Sequence, residues 1–337
     1  MTKQINFLVK NSFIFGVSTF IQKALGFILL PIYTTYLSTK DYGIIAILEI
    51  LFLFATLFLS VRISESLLRY YYEPKIDKKK VVSTSLLFTF FFGLILTTIL
   101  ALLSKEASSI IFNIPKYSLY ISIILITVFF NLTNTISMTY IRAEFLSKLF
   151  LSIEVIRILF AFSTTVYLIV FLKMGILGFL LSGAITALLS SVTTTAYTIS
   201  KTGLGFSLDI LKKMIKFSYP LIISEIFFIL LLYIDLYLLK NVSNLSSVGI
   251  YSLGHKFGLV VFQLIVFPVT LIWFPYAFSI KKDKEFQKLQ KKFLYLFTAT
   301  LFLFVTSLSL FIKPIIRIIA SPEYINAYKV VPWVAFA

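Results

Sequence analysis

Residues 81–103 have the sequence VVSTSLLFTFFFGLILTTILALL and carry no charged side chain. Three lysines, Lys78 to Lys80, precede this run, and Lys105 follows it. A helix needs about 20 apolar residues to cross a bilayer, because a hydrocarbon core of about 30 Å is crossed at about 1.5 Å per residue. The run therefore predicts a membrane-spanning helix with charges at both surfaces.

The composition extends this conclusion to the whole chain. Of 337 residues, 59% are hydrophobic and 13% are charged, whereas about a quarter of the residues in a soluble domain are charged. A mean hydropathy of +0.98 excludes intrinsic disorder, which needs low hydrophobicity. The alternation over about ten residues that marks barrel strands is absent. The sequence predicts an all-α, polytopic membrane protein.

Several further apolar runs are long enough to span lipid. We predict helices near 12–36, 44–61, 81–103, 117–138, 151–172, 175–199, 215–239, 249–278 and 292–312, with a tenth that begins near Ala327. The first run is longer than the apolar core of about 7–15 residues in a signal peptide. We therefore expect it to be retained as a span.

The net charge of +17 lies mainly in the connections between these runs. Alternate connections carry 19 and 8 Lys and Arg residues, and the positive-inside rule then places the N-terminus in the cytoplasm. Topology accounts for the charge, so nucleic acid is not an expected partner. The connections Ser64–Glu73 and Lys281–Lys292 have amphipathic patterns, which predict contact with anionic membrane lipids.

An internal repeat of 206 residues is visible without gaps. Eight identities support it, and they include Gly43 with Gly249 and Ile44 with Ile250. Six predicted helices separate the copies, so the two halves keep the same orientation, a plan known among transporters with a substrate pathway between the halves. We predict a six-helix lobe at 1–199, a cytoplasmic linker at 200–206 and an incomplete second lobe at 207–337, around a central cavity. The chain is expected to be a C-terminal truncation.

Residue counts and motifs exclude most soluble chemistries. No cysteine and a single histidine argue against thiolate catalysis, disulfides and a metal site. P-loop and HExxH motifs are absent, and Gly203-Leu204-Gly205 lacks the rest of a dinucleotide fingerprint. No cofactor is expected, and ATP-driven transport is not predicted.

The predicted spans nevertheless contain ionisable residues, each of which costs about 2.5–3.5 kcal/mol at the bilayer centre on insertion scales. They are Lys23, Glu49, Glu154, Arg157, Glu225, Asp235, His255 and Lys256, with Arg62 at a helix end. Such groups are expected to face a polar interior or to pair. Glu154 and Arg157 have the spacing of an ion pair on one helix face.

Two acidic residues and one histidine leave alternatives open. Glu225 and Asp235 lie ten residues apart, on nearly the same face of one helix. They could bind H⁺ or Na⁺, or each could pair with a basic group such as Lys256. His255 lies within a GxxxG spacing, Gly254 to Gly258, which permits close helix approach, so it is either a helix–helix hydrogen-bonding group or a proton relay.

Several strings resemble those of Wzx-type polysaccharide flippases. They include residues 29–38, LLPIYTTYLS, followed by Asp41-Tyr42-Gly43, and residues 69–73, RYYYE. Residues 217–220, FSYP, residues 248–251, VGIY, and residues 273–276, WFPY, extend the resemblance into the second half. These flippases belong to the multidrug/oligosaccharidyl-lipid/polysaccharide exporter superfamily.

The resemblance implies a transporter and not an enzyme. Its substrate would be an oligosaccharide on polyprenyl pyrophosphate, moved across a bacterial or archaeal cytoplasmic membrane by alternating access, in partnership with glycan polymerase machinery. Because arginine and lysine bind pyrophosphate, the candidate substrate-binding residues are Lys23, Arg62, Arg69, Arg142, Arg157 and Lys256. Glu225 and Asp235 are the candidates for ion coupling.

Three other functions fit parts of the sequence. A drug or cation antiporter of the same superfamily would favour an acidic, aromatic cavity. A membrane glycan polymerase or ligase usually needs a large outer loop, whereas the longest outer connections here have only about a dozen residues. An inactive truncated remnant is the structural alternative.

Overall fold

The computed structural model describes residues 26–266 and 286–337, together with the single positions 14, 16, 21, 269 and 273. These residues form helices and turns and contain no β-strand. Eight of the described helices are long and apolar enough to cross a membrane. The prediction of an all-α polytopic membrane protein is confirmed.

The helices are numbered in chain order. They are α1 (Leu30–Tyr36), α2 (Thr39–Ser60), α3 (Ile63–Tyr71), α4 (Lys78–Leu102), α5 (Ser104–Phe112), α6 (Ser118–Ala143), α7 (Ser147–Thr165), α8 (Gly175–Thr202), α9 (Leu208–Val242), α10 (Leu245–Val261), α11 (Phe286–Ile319) and α12 (Val331–Phe336). Short 3₁₀ segments cover Pro115–Tyr117 and Pro322–Lys329, and π-helical turns extend α7 through Phe171 and α10 through Val266.

Most helices continue beyond the apolar runs that predicted them. The spans predicted at 215–239 and 292–312 are the middle parts of α9 and α11. Both helices continue into polar residues, which a prediction based on apolar runs does not include. Helix α5 occupies a connection for which no helix was predicted. The tenth predicted helix is the short α12, which follows the 3₁₀ segment that contains Ala327.

Parts of two predicted spans lie outside the described residues. Only the end of the span predicted at 12–36 is described as a continuous helix, α1. Of the span predicted at 249–278, α10 and its π-helical turn account for the residues through Val266. Lys281 and its neighbours through 285, which begin the second amphipathic connection, also lie outside the described part.

Contacts between Cα atoms divide the chain into two compact units. The first contains Ile47–Asp235, and the second contains Tyr33–Ala46 and Leu236–Ala337. These units are defined by contact and not by the 206-residue repeat. The lobes 1–199 and 207–337 therefore stay a prediction.

The core of the first unit is built around helix α3. One face of α3 buries Ile63, Leu67 and Tyr71 against side chains of α4, α6 and α9. The Ser66 Oγ also donates a hydrogen bond of 2.8 Å to the Met214 carbonyl of α9. The amphipathic pattern predicted for this segment is therefore present, but protein covers its apolar face.

The linker 200–206 is held against the start of α4. Helix α8 ends at Thr202 and is followed by Gly203, whose φ of +72° is a left-handed value that glycine adopts without a steric penalty. The Ser83 Oγ then donates to the Gly205 carbonyl at 2.5 Å, and the Ser207 N–H donates to the Thr84 Oγ1 at 3.1 Å. These hydrogen bonds fix the position at which α9 begins.

In the second unit, α2 and α10 cross through two glycines. A Cβ atom built on Gly43 would overlap the carbonyl oxygen of Leu245, and one built on Gly249 would overlap that of Thr39. These contacts are reciprocal in the 206-residue register, because Thr39 corresponds to Leu245 and Gly43 to Gly249. Residue i touching j while j touches i is the pattern of a two-fold contact.

The Asp41-Tyr42-Gly43 string has a structural role at each position. The Asp41 carboxylate accepts hydrogen bonds from the Ser38 hydroxyl at 2.8 Å and the Ser38 N–H at 3.1 Å, near the start of α2. The Tyr42 ring packs edge-on against Tyr324 with 5.6 Å between centroids. Burial raises the pKa of Tyr324, whose hydroxyl donates to the Leu37 carbonyl.

The GxxxG prediction for α10 is confirmed by a close approach. A Cβ atom on Gly254 would lie 2.6 Å from the Ala327 carbonyl oxygen, and one on Gly258 would lie 2.6 Å from the Val334 Cβ. Between them, His255 is buried and stacks on Tyr251 with 6.2 Å between ring centroids. Small residues let backbones approach in this way where lipid supplies no hydrophobic driving force.

The glycine crossing predicts an effect on stability. We expect Gly43→Ala and Gly249→Ala each to lower the melting temperature of the purified protein, because overpacking a close contact costs about 1–3 kcal/mol. Gly183→Ala is the matched control, since nothing lies within 4 Å of a Cβ atom there. Thermal unfolding in one detergent measures all three, and an unchanged melting temperature for both crossing variants would contradict the packing.

Candidate functional site

Arg62 lies at a sharp break between α2 and α3. Val61 and Arg62 both have left-handed backbones, with φ of 47° and 53°, a conformation that is uncommon for residues other than glycine and rare for valine. The Arg62 N–H donates to the Ser60 Oγ at 3.1 Å. The break turns the chain out of a membrane span and places an arginine at the turn.

The Arg62 guanidinium forms ion pairs with two carboxylates. Its Nη2 atom lies 3.1 Å from the Oε1 atom of Glu65, in the first turn of α3. Its Nη1 atom lies 3.7 Å from the Oε2 atom of Glu225 in α9. The Ser64 Oγ also donates to Glu65 at 2.8 Å. The three charged side chains are 28%, 35% and 33% exposed, so the group is partly accessible.

Glu154 and Arg157 form the ion pair that their spacing predicted. The Nε and Nη2 atoms of Arg157 donate to one oxygen of Glu154 at 3.0 and 2.8 Å. The Glu154 side chain is only 5% exposed, whereas that of Arg157 is 27% exposed. Two charge-assisted hydrogen bonds thus hold a buried carboxylate in place.

Arg142 is a third arginine of the first unit. It lies in the last turn of α6, within electrostatic range of Glu65 and Glu154. Its guanidinium lies 5.8 Å from the centre of the Phe150 ring. We call the whole set the arginine–glutamate network, and its members are Arg62, Glu65, Arg142, Glu154, Arg157 and Glu225.

Among the predicted site residues, the structure pairs Arg62 directly with Glu225. Arg157 pairs with Glu154, and Arg142 lies within electrostatic range of Glu65 and Glu154. The sequence left two interpretations open for Glu225, binding of H⁺ or Na⁺ and pairing with a basic group. The structure shows Glu225 paired with a basic group, and that group is Arg62. Its assignment to ion coupling stays a prediction.

The other predicted site residues that the structure describes lie further along α3 and α9 or in the second unit. Arg69 is exposed on the last turn of α3, with its guanidinium 4.3 Å from the centre of the Phe217 ring. Asp235 is ten residues beyond Glu225 on α9, a distance of about 15 Å along a helix. Lys256 belongs to the second unit, where its Nζ lies 5.1 Å from the centre of the Tyr42 ring. Lys23 lies outside the described residues.

Glu65 is the member of the network that the sequence predictions missed. It was assigned to a segment expected to lie on lipid headgroups, yet it faces Arg62 and acts on Arg142. The spacing Arg62-x-x-Glu65 matches that of Glu154-x-x-Arg157 with the charges reversed. That spacing was the available signal.

Two tyrosines at the end of α3 form hydrogen bonds with the C-terminal end of α6. The Tyr71 hydroxyl donates to the Glu144 carboxylate, and the Tyr72 hydroxyl donates to the Ala143 carbonyl at 2.7 Å. Partial burial raises the pKa of Tyr72, which keeps its hydroxyl protonated as a donor. The Lys78 Nζ lies 5.1 Å from the centre of the Tyr71 ring.

Among the residues that the structure describes, no group of three or more His, Asp or Glu side chains could hold a metal ion. Arginine side chains are suited to binding anions such as phosphate.

Comparison with known proteins assigns the family. The model of a family described as polysaccharide biosynthesis protein matches residues 34–329, which is most of the chain and includes the whole arginine–glutamate network. No curated protein and no solved structure matches the chain. The match confirms the resemblance to Wzx-type flippases, and both family and helical membrane fold are those of a transporter and not of an enzyme. This membrane protein belongs to the polysaccharide biosynthesis protein family.

Proposed function

We propose that the protein is a flippase for oligosaccharide units linked to polyprenyl pyrophosphate. It would move them from the inner to the outer leaflet of a bacterial or archaeal cytoplasmic membrane for surface polysaccharide synthesis. The observation that carries the proposal is the arginine–glutamate network, in which Arg62 and Arg157 form ion pairs and Arg142 lies within electrostatic range of two of the glutamates, in a membrane-spanning member of a polysaccharide biosynthesis family.

The network has the chemistry that a pyrophosphate headgroup needs. Each guanidinium presents a planar fork of donors that can bind two phosphate oxygens at once. Arg62 and Arg157 are both partly exposed, and an ionised group facing hydrocarbon would cost about 2.5–3.5 kcal/mol. We infer that their exposed parts face water, which is where a headgroup would reach them.

Alternating access would follow from the two predicted lobes. The reciprocal contact of Gly43 and Gly249 supports a repeat of 206 residues with a two-fold axis along the membrane normal. A substrate pathway would then lie between the lobes 1–199 and 207–337, as in other transporters built from parallel repeats. Glu225 and Asp235 remain candidates for coupling transport to H⁺ or Na⁺.

The membrane environment of the protein follows from its charge pattern. The basic connections on the cytoplasmic side would attract anionic lipids, and lipid-linked glycan would pass to polymerase machinery at the outer surface. The N-terminus would lie in the cytoplasm.

The first test concerns Arg62. We expect Arg62→Ala to reduce surface glycan by at least about tenfold in cells that depend on this protein, because a lost charge-assisted hydrogen bond costs about 1.5–3 kcal/mol. Arg62→Lys keeps the charge without the fork and should retain part of the activity. Arg317→Ala, which removes an exposed arginine of α11, is the control.

The glycan assay also distinguishes the proposal from a drug antiporter. Full surface glycan in Arg62→Ala cells with normal protein levels would remove Arg62 from the site. Transport of a cationic dye by the wild-type protein, with no effect of its deletion on surface glycan, would favour the antiporter.

The second test concerns orientation. Lys79 and Lys105 are both exposed. Lys79 lies in the first turn of α4, and Lys105 lies just beyond its last residue. The chain contains no cysteine, so Lys79→Cys and Lys105→Cys each introduce one thiol. We expect a membrane-impermeant maleimide to label only the cysteine at 105 in intact cells and both cysteines in broken cells. Labelling of the cysteine at 79 in intact cells would reverse the topology.

A further inference from the structure

We propose that Glu225 is an internal competitor for Arg62, and that an anionic headgroup binds by displacing it. This inference rests on the proposed function. It describes how Arg62 would exchange the Glu225 carboxylate for the phosphate oxygens of the headgroup. The Glu225 carboxylate holds the position near Arg62 that a phosphate oxygen would take.

The pairing of Arg62 makes a headgroup compete with its carboxylates. Both terminal nitrogens of the guanidinium are occupied, Nη2 by Glu65 and Nη1 by Glu225. A phosphate oxygen that approaches these nitrogens meets a carboxylate of like charge in a partly buried site, where repulsion is screened less than in water. One of the two carboxylates must therefore move away from Arg62 when the headgroup binds.

The distances identify which carboxylate does so. Glu154 accepts two hydrogen bonds, at 3.0 and 2.8 Å, and is buried. Glu65 lies 3.1 Å from Arg62 and is held in addition by the Ser64 hydroxyl. Glu225 lies 3.7 Å from Arg62, beyond the usual range of an N–H···O hydrogen bond. Its ion pair with Arg62 is thus the longest of the three.

Arg62 also has donor capacity that the carboxylates do not use. Its Nε atom is buried and has no hydrogen-bond partner within the described part of the chain. A guanidinium has five N–H donors, and a phosphate oxygen that replaced Glu225 could accept from the fork in a bidentate way. The exchange would replace one long ion pair by shorter hydrogen bonds.

Displacement would also release part of α9. Before Pro220, α9 is fixed to α3 by the hydrogen bonds from Ser66 to Met214 and from Tyr70 to Lys213. Beyond Pro220, Glu225 pairs with Arg62. Proline within a helix removes a backbone hydrogen bond and permits bending. The headgroup would therefore free the segment that begins at the point where α9 can bend.

Binding of polyprenyl pyrophosphate to the purified full chain in nanodiscs of zwitterionic lipid tests the exchange. We expect Glu225→Gln to tighten binding by about tenfold, within the about 5–150-fold range typical of coupled sites. Arg62→Ala should weaken binding, and in the Arg62→Ala/Glu225→Gln double variant the gain should disappear, as a double-mutant cycle requires for coupled residues. Glu106→Gln, on an exposed glutamate of α5, should bind like the wild type.

Two additions protect the test against misfolding and against an effect of the lipid tail. Glu225→Asp keeps the charge on a shorter side chain and should give a smaller gain than Glu225→Gln, while thermal unfolding verifies that each variant is folded. Inorganic pyrophosphate should compete with the lipid in the wild type and compete more strongly in Glu225→Gln.

The outcomes separate this inference from the proposed function. If the folded wild type binds neither the lipid nor inorganic pyrophosphate, the flippase proposal loses its headgroup site, and the inference falls with it. If the wild type binds and Arg62→Ala weakens binding, but Glu225→Gln binds no more tightly, then only the competitor role of Glu225 is overturned.

Discussion

Ionised side chains near hydrocarbon must find partners or water, and this constraint explains the arrangement of the first unit. Arg62 pairs with Glu65 and Glu225, and Arg157 pairs with Glu154. Left alone at the bilayer centre, each ionised group would cost about 2.5–3.5 kcal/mol. Two of these ion pairs are local, whereas the pair of Arg62 with Glu225 joins the α2–α3 break to α9. Polar contacts between α6 and α8, such as Asn134 with Thr194 at 3.0 Å, act in the same way for uncharged groups.

The need to pair charges also bears on the strained break before α3. Left-handed residues other than glycine cost about 1–3 kcal/mol each and persist only where the surroundings determine them. Here Ser60 accepts the Arg62 N–H, and Glu65 and Glu225 hold the guanidinium. The strain and the ion pairs therefore depend on each other. A ligand that changes the partners of Arg62 acts on a segment whose backbone conformation those partners support.

Sequence patterns predicted the spans well because lipid imposes one length and one chemistry on every helix. They were less informative where a segment leaves the membrane. The pattern of Ser64–Glu73 was correctly identified as amphipathic, but periodicity cannot tell a face that meets lipid headgroups from one that meets α4, α6 and α9. Glu65 was missed for that reason. The ion pair of Glu154 with Arg157 was predicted because both partners lie on one helix. The partner of Glu225 lies on a different element, so it could be identified only in the three-dimensional structure.

The 206-residue register treats packing residues and charged residues differently. Gly43 and Gly249 occupy matching positions and make the same contact. Three members of the arginine–glutamate network have uncharged counterparts instead: Arg62 corresponds to Pro268, Glu65 to Leu271 and Glu225 to Thr19. In the predicted repeat, a helix crossing can recur because the packing problem is the same in each copy. A single bound ligand has no such requirement, so charged residues that differ between the copies are the ones to test first for substrate binding.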